Sequence, residues 1–138
     1  MNCQKFSLSK APLPLIRHGI RANVYVDLGC NNVSITAEAA RMVGAKNVHR
    51  IDVDKDASAR AREKNLITHE IDLSTGKIPL NEESADLVTA FEVIEHLANP
   101  GNMLREAHRI LKRGRHLLIT ISNHVSWINK IILDLTKT

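Results

Sequence analysis

Short apolar runs alternate with longer segments of helical spacing along most of the chain. The runs are rich in β-branched residues and predict strands at 24–26, 48–53, 67–71, 87–90 and 117–121. The longer segments predict helices at 34–43, 55–64, 102–112 and 126–135. Strands that alternate with helices indicate parallel strands joined by crossovers. The pattern therefore predicts an α/β fold with a doubly wound, mainly parallel sheet.

Glycine, proline and polar residues divide the chain between these elements. Gly44 and Gly114 are placed as the C-caps that end the first and third helices. Segment 73–85 has too many Gly, Pro and polar residues for a helix, so we expect that crossover to be mainly loop. Residues 1–22 have little periodicity, and we predict an N-terminal lead-in there, followed by one domain at 23–138.

Composition and charge narrow the class of protein. The 138 residues are 43% hydrophobic, 25% charged and 3% aromatic, which is typical of one globular domain with an aliphatic core. The net charge is +4, but the basic residues are scattered, so we expect no dedicated nucleic-acid surface. Cys3 and Cys30 are far apart and predict no disulfide. With neither an export signal nor an apolar run of membrane-spanning length, the predicted location is the cytoplasm.

Carboxylates follow the first three predicted strands. Asp27, Asp52 and Asp72 each stand at or near the end of a strand. Any one of them could be a helix N-cap or a turn former. Because the carboxyl ends of parallel strands share one edge of a sheet, three in register favour a shared ligand with hydroxyl or amino groups.

A glycine turn follows the first strand, in the stretch VYVDLGCNNVSIT. Gly29 is the only glycine in this stretch, and it is followed by Asn31 and Asn32 instead of further glycines. The dinucleotide fingerprint G-x-G-x-x-G is therefore absent, which disfavours a nicotinamide or flavin dinucleotide and an oxidoreductase function.

Four stretches together resemble the class I S-adenosylmethionine-dependent methyltransferases, particularly the type 11 and type 23 group. They are VYVDLGCNN, HRIDVDKDA, HEIDLSTGKIPLNEESADLVTAFEVIEHL and ANPGNMLREAHRILKRGRHLLITISN, in the family's order from about residue 23 to the end. The resemblance implies a Rossmann-like methyltransferase fold, S-adenosyl-L-methionine as cofactor and a small-molecule acceptor. The alternative is a non-catalytic, methyltransferase-like binding or partner subunit.

The resemblance implies that the first strand and its glycine turn hold the methionine half of the cofactor. The backbone of Gly29, Cys30 and Asn31 would approach it, and Asp27 would hold its amino group directly or through water. Asn31 and Val33 depart from the family's G-x-G-x-G pattern. Asn31 tolerates a left-handed backbone. Val33 is β-branched, so we expect it to swing the helix outward or crowd the cofactor and to weaken affinity.

The next two strand ends would hold the nucleoside. The resemblance implies that Asp52, followed by Val53, binds the ribose diol. It also implies that Asp72 and the backbone amide of Leu73 read the adenine. The predicted ribose and adenine sites thus belong to consecutive strands.

The stretch FEVIEHL carries the candidate catalytic residues. The resemblance places Phe91 and Glu92 beside the methionine moiety and the reactive methyl. If a helix begins there, Glu92 lies one turn from Glu95 and His96, and the three could face one pocket. The text is similar to the metal-binding motif of small-RNA 2′-O-methyltransferases, but only His124 offers a further ligand. We predict no metal and assign Glu95 and His96 to acid–base work.

The C-terminal segment is short for this family. Its apolar stripe predicts a last helix that packs against the sheet. Family members usually add two more strands, so we predict a C-terminally truncated fold. The fifth strand would then be an exposed edge, which invites a homodimer or a partner chain.

Overall fold

The computed structural model describes residues 16, 19–29, 33–122 and 130–138. The strands are β1 (Val24–Leu28), β2 (Asn47–Asp52), β3 (Ile67–Glu70), β4 (Ala85–Phe91), β5 (Leu111–Ser122) and β6 (Lys130–Thr136). The helices are α1 (Val33–Val43), α2 (Lys55–Glu63) and α3 (Pro100–Ile110), and Ile94–His96 forms one 3₁₀ turn. Segment 71–84, between β3 and β4, is loop, as predicted.

Six strands form one sheet in the order β3-β2-β1-β4-β5-β6. The first five strands are parallel, and β6 runs antiparallel to β5. From β1 the chain builds outward to β3, and from β4 it builds outward on the other side. The predicted doubly wound, mainly parallel sheet is confirmed, and its switch point between β1 and β4 favours a ligand site at the carboxyl ends.

The sheet is covered on both faces because successive strand residues point to opposite sides. Tyr25 belongs to a buried cluster that includes residues of α1 and α2. Its neighbour Val26 belongs to a second cluster, which includes residues of α3. Ile16, from the predicted lead-in segment, is fully buried in the first cluster, so this segment contributes to the core.

Two glycines predicted as helix caps have different roles. Gly44 has a φ of +71° and follows α1 directly, which confirms it as a C-cap. Gly114 also has a positive φ, +74°, but it lies inside β5, because α3 already ends at Ile110. The pairing of β5 with β4 changes register there. The predicted cap at Gly114 is wrong, since a positive φ serves a β-bulge equally well.

The C-terminal helix predicted at 126–135 is wrong over the residues that the structure describes. Lys130–Thr136 forms β6, which pairs with β5 from Ser122 back to His116. A short apolar run fits a strand as well as a helix, and here the open side of β5 provides the hydrogen-bond partners. The predicted exposed edge at β5 is therefore also wrong, and the outer strands are β3 and β6. None of the described helices is long and apolar enough to cross a membrane.

Candidate functional site

A cleft of about 300 Å³ opens at the carboxyl ends of the strands. Its described walls come from residues at or after the ends of four neighbouring strands: Gly29, Asp52 and Val53, 71–75, Val93, and 96–98. This volume lies at the small end of the usual range for ligand pockets. The cleft therefore brings together the ends of β1, β2, β3 and β4 that the sequence marks with carboxylates and glycine.

Gly29 forms the floor of the cleft where β1 ends. Its amide donates a 2.8 Å hydrogen bond to the carbonyl of Ile51, and its φ is +116°. A Cβ on Gly29 would lie only 1.8 Å from Cγ2 of the fully buried Val93. Both the backbone angle and this close approach require glycine.

Asp27 lies at the end of β1 but does not line the cleft. It is fully buried, and its two oxygens accept hydrogen bonds from the hydroxyls of Thr36 and Thr89. The hydroxyl of Tyr25 lies 2.6 Å from Thr89 Oγ1 and is the donor, because the Thr89 proton points to Asp27. Burial, and next the charge of Asp27, raise the pKa of Tyr25 well above its ordinary value. The carboxylate of Asp27 is thus held by protein hydroxyls.

Asp52 ends β2 and lines the cleft, although only 4% of its surface is exposed. Its Oδ2 accepts a 2.9 Å bond from Arg50 Nη1, and its Oδ1 accepts a 3.1 Å bond from the amide of Asp54. Burial raises the pKa of Asp52, and this amide and Arg50 offset only part of that rise. Since each carboxylate oxygen has about two acceptor positions, each keeps one for a ligand.

Arg50 is a site residue that the sequence analysis missed. It is buried in β2 and lies on the same face as Asp52, because the two are separated by two positions in a strand. The sequence RID contains a signal for this ion pair, because two opposite charges stand on either side of one apolar residue within a predicted strand. Removing one partner of such a buried pair costs about 3–5 kcal/mol. Asp52 therefore has a structural role besides any role in binding.

The loop after β3 is shaped by its own backbone and by α3. Asp72 is exposed, and its Oδ1 accepts a 2.8 Å bond from the amide of Ser74. Asn102 Nδ2 donates to the carbonyls of Leu73 and Gly76, each at 2.9 Å. Within the part of the chain that the structure describes, the amide of Leu73 makes no hydrogen bond. Asp72 and Leu73 line the cleft together with Asp52. Asn102, which supports their loop, was not recognised from the sequence.

Three further predicted binding residues differ in position. Val53 lines the cleft and is 45% exposed, so it offers an apolar surface. Phe91 is buried in the core cluster on the α1 side of the sheet and does not line the cleft. Glu92 has a φ of +56°, and its amide donates to the carbonyl of Thr120. The structure therefore brings Val53 to the cleft, but not Phe91 or Glu92.

The segment FEVIEHL does not begin an α-helix. It forms the 3₁₀ turn Ile94–His96, in which His96 lines the cleft and Glu95 does not. Glu95 Oε1 lies 3.9 Å from His96 Nε2, and Glu92 also lies outside the cleft wall. The condition for one shared pocket, a helix that begins at Glu92, is not met, because the positive φ of Glu92 interrupts the helical spacing. Of the three residues, His96 alone is in the described wall of this cleft.

The remaining candidates from the sequence are a metal site and four single residues. Among the described residues, no group of three or more His, Cys, Asp or Glu side chains is arranged to hold a metal. Cys30, Asn31 and His124 lie outside the described residues. Val33, which was expected to swing the helix outward or crowd the cofactor, is buried in the core and does not line the cleft.

Comparisons with known proteins bear on the same part of the chain. A family model described as "Methyltransferase domain" matches residues 26–119. A probable S-adenosylmethionine-dependent methyltransferase of Mycobacterium tuberculosis is 29% identical over 60% of this chain and 30% of its own length. The ubiquinone biosynthesis O-methyltransferase of Pseudomonas aeruginosa is 30% identical over 78% of this chain and 47% of its own length. The chain thus spans less than half of these curated relatives.

Solved structures share the fold. A putative methyltransferase from Bacillus halodurans has a TM-score of 0.68 at 24% identity, over 83% of this chain and 51% of its own. A putative methyltransferase of Haloferax volcanii, in complex with the Trm112 methyltransferase activator, has a TM-score of 0.67 at 25% identity, over 80% and 50%. The family match includes β1, β2, β3 and β4, whose ends form the cleft. The chain therefore belongs to the type 11 methyltransferase-domain family of S-adenosylmethionine-dependent methyltransferases.

Proposed function

We propose that the cleft binds S-adenosyl-L-methionine and that the protein transfers its methyl group to a small-molecule acceptor. The observation that carries the proposal is the carboxylate of Asp52, which lines the cleft and keeps one acceptor position on each oxygen. When bound, this cofactor supplies a methyl group already activated on a sulfonium sulfur.

The residues of the cleft fit the parts of that cofactor. Asp52 can accept hydrogen bonds from two neighbouring ribose hydroxyls. The exposed side chain of Val53 offers an apolar contact to a flat ring, and the amide of Leu73 and the carboxylate of Asp72 offer a donor and an acceptor at its edge. Gly29, which has no side chain, leaves the backbone at the floor of the cleft open to the methionine half.

The chain's contribution to the reaction is mainly positioning. Methyl transfer from a sulfonium is an in-line displacement, and holding the acceptor in line supplies much of the catalysis. His96 lines the cleft, and its side chain is 35% exposed, so the imidazole can accept a proton from an acceptor hydroxyl or amine. Glu95 lies behind it, outside the cleft wall, so we assign general-base catalysis to His96 and an orienting role to Glu95.

The nature of the acceptor is proposed from the relatives. Several are named ubiquinone biosynthesis O-methyltransferases, including those of Pseudomonas aeruginosa and Saccharomyces cerevisiae. These names support a small molecule that bears a hydroxyl group. A proton on such a hydroxyl must leave during transfer, which agrees with an imidazole at the cleft.

A partner-dependent function is the second candidate. The Haloferax volcanii neighbour was solved in complex with an activator protein. In this chain the outer strands β3 and β6 each leave one side without a neighbouring strand in the described sheet. A homodimer or a partner chain at one of these edges would make the protein a binding or partner subunit.

Calorimetry followed by a transfer assay tests both candidates. We expect S-adenosylmethionine and S-adenosylhomocysteine to bind and NAD not to bind. We also expect His96→Gln to lower the rate of methyl transfer to simple phenols strongly, because a general base acts on the acceptor. The affinity for S-adenosylhomocysteine should stay within about twofold of the wild-type value. Absence of S-adenosylhomocysteine binding would contradict the proposal. Binding without transfer to any acceptor would favour the partner-subunit function, and light scattering would then show whether the chain associates.

A further inference from the structure

A second pocket lies at the opposite end of the sheet, where the strands begin. It has a volume of about 480 Å³. Its charged lining residues stand just before β1 and β2 and at the starts of β4 and β5: Arg21, Lys46, Asp86, Lys112 and Arg115. A strand of five residues such as β1 is roughly 17 Å long, so this pocket is separate from the cleft at the carboxyl ends.

Among the described residues that line this basic pocket, Asp86 is the only acid. It is 5% exposed and accepts bonds from Lys112 Nζ at 3.0 Å and from the amides of Asn23 and Val24 at 3.1 and 2.9 Å. The Nε of Arg115 lies 3.8 Å from the same carboxylate. Burial alone would raise the pKa of Asp86, but these partners outweigh it, and the pKa lies below its ordinary value. Asp86 is therefore ionised and already shared by two cations.

The other two cations have no acidic partner. Arg21 and Lys46 are exposed, and within the described part of the chain neither side chain makes an ion pair. The guanidinium of Arg21 lies over Gly44, where Nη1 would be 3.2 Å from an added Cβ. Arg115 Nη1 donates to the carbonyl of Arg21 at 3.4 Å, which links the two segments.

Charge and geometry together indicate the ligand class. The described lining holds four cations and one carboxylate, which is an excess of three positive charges around one pocket. Such like charges repel one another and gain most from a ligand that carries more than one negative charge. Two guanidinium groups can each donate a pair of hydrogen bonds to the oxygens of one phosphate. The ammonium groups of lysine add positive charge and can approach the phosphate from many directions. A single carboxylate ligand would neutralise only a third of the excess.

We propose that this pocket binds a phosphate group, at the end of the sheet opposite the cleft. The proposal is independent of the function proposed for the cleft, because the two sites share none of the described lining residues. The phosphate could belong to a free oligophosphate or to the backbone of single-stranded RNA. Both present the same chemistry to Arg21 and Lys46.

Calorimetric titration of the full chain with inorganic pyrophosphate and with a short single-stranded RNA tests the proposal. The variant Arg21→Glu/Lys46→Glu reverses two exposed side chains that make no ion pair in the described structure, so we expect it to fold. The matched control is Arg60→Glu/Lys64→Glu, which makes the same charge change on and just after α2. We expect at least about tenfold weaker binding for the pocket variant and less than about twofold change for the control.

The two ligands separate the sources of the phosphate. Saturable binding of pyrophosphate that the pocket variant loses assigns the site to free oligophosphates. Binding of RNA alone, again lost in the pocket variant, assigns it to the phosphodiester backbone. Absence of binding to either ligand, or equal losses in the two variants, would overturn the proposal.

Discussion

The ends of β1 and β2 lie side by side, and both carry an aspartate, yet the two carboxylates have different surroundings. Asp27 is enclosed by the hydroxyls of Thr36 and Thr89 and is absent from the cleft wall. Asp52 is tied to Arg50 on one side and meets the cleft on the other. An acidic residue at a strand end is thus not enough to make a ligand contact, because the residues packed around it decide which oxygens remain available.

Position in the sheet accounts for the difference. β1 is central, with β2 and β4 on its two sides, and α1 supplies Thr36 above it. β2 is followed outward only by the short β3, whose loop leaves space beside Asp52. We therefore expect substitutions at the tightly packed end of β1 to change mainly stability and substitutions at the more open ends of β2 and β3 to change binding.

The largest effect is expected for Gly29→Ala, in the floor of the cleft directly after β1. The new Cβ would overlap Val93 and would also require a φ of +116° from a residue with a side chain. Overpacking and backbone strain together predict a loss of about 3–5 kcal/mol in the free energy of unfolding, measured by urea denaturation. The substitution Val93→Ala should cost less in the Gly29→Ala background than alone. A loss below about 1 kcal/mol for Gly29→Ala would contradict the close approach.

Asp27→Asn should give the next largest loss of stability. An amide has only one acceptor oxygen, so one of the two threonine hydroxyls loses its acceptor in a fully buried position. We expect a loss of about 1–3 kcal/mol in the free energy of unfolding. The affinity of the folded variant for S-adenosylhomocysteine should change less than about threefold. A larger change would support the ligand contact that the sequence resemblance implies and would remove the contrast with Asp52.

Asn102→Ala tests the support of the loop after β3. Its side chain donates both of its protons, to the carbonyls of Leu73 and Gly76, and we expect a stability loss of about 1–2 kcal/mol when both bonds are removed. Affinity for S-adenosylhomocysteine should fall as well, because the Leu73 amide is no longer held in place. The neighbouring exposed residue provides the control Arg105→Ala, which should leave both quantities unchanged.

The smallest expected effect is a pH dependence from the other side of β2. His49 Nδ1 and His69 Nε2 lie 3.1 Å apart, and the rings stack with centroids separated by 5.4 Å. Burial lowers the pKa of both, and the charge of His69 lowers that of His49 further. Because the unfolded chain then binds protons more readily, this stability is complete above the ordinary pKa of 6.5 and is lost as the pH falls below it.

Urea denaturation from about pH 7.5 to about pH 5 should show that loss. The double substitution His49→Gln/His69→Gln should make the curve flatter over this range. An unchanged slope in the double variant would assign the pH dependence to other groups.

Local patterns predicted most of the sheet and all three of the described helices. The apolar runs of β1, β2, β3 and β4 are bounded by Gly, Asp or polar loop residues, so the strands and the ends that face the cleft could be predicted from neighbouring residues alone. The same information did not distinguish a strand from a helix at Lys130–Thr136, because the choice depends on pairing with β5. Gly114 was misassigned for the same reason, since its positive φ serves the register change between β4 and β5.

The site was predicted less completely than the fold. Asp52, Asp72 and Gly29 follow from their places at strand ends. The enclosure of Asp27 could not be predicted in this way, since its partner Thr89 is 62 residues away along the chain. Asn102 reaches its loop across 29 and 26 residues. Contacts of this range depend on the packing of the sheet and α3, and a local pattern does not contain them.

We propose that Asp52 binds the ribose hydroxyls of the cofactor, and a cycle of two proteins and two ligands tests this role most directly. Calorimetry compares wild type and Asp52→Asn, each with S-adenosylhomocysteine and with its 2′,3′-dideoxyribose analogue. Any effect that the lost charge beside Arg50 has on the protein itself is the same for both ligands, so it cancels in the cycle. The control is Asp54→Asn, whose amide oxygen can still cap α2 through the amides of Asp56 and Ala57.

We predict that Asp52 and the diol are coupled by about 1.5–3 kcal/mol, because the wild-type carboxylate makes charge-assisted bonds that neither the amide nor the dideoxy analogue can make. Asp54→Asn should show a coupling near zero. A coupling within about 0.3 kcal/mol of zero for Asp52→Asn, with both ligands weakened equally, would contradict the account and move the ribose site away from the end of β2.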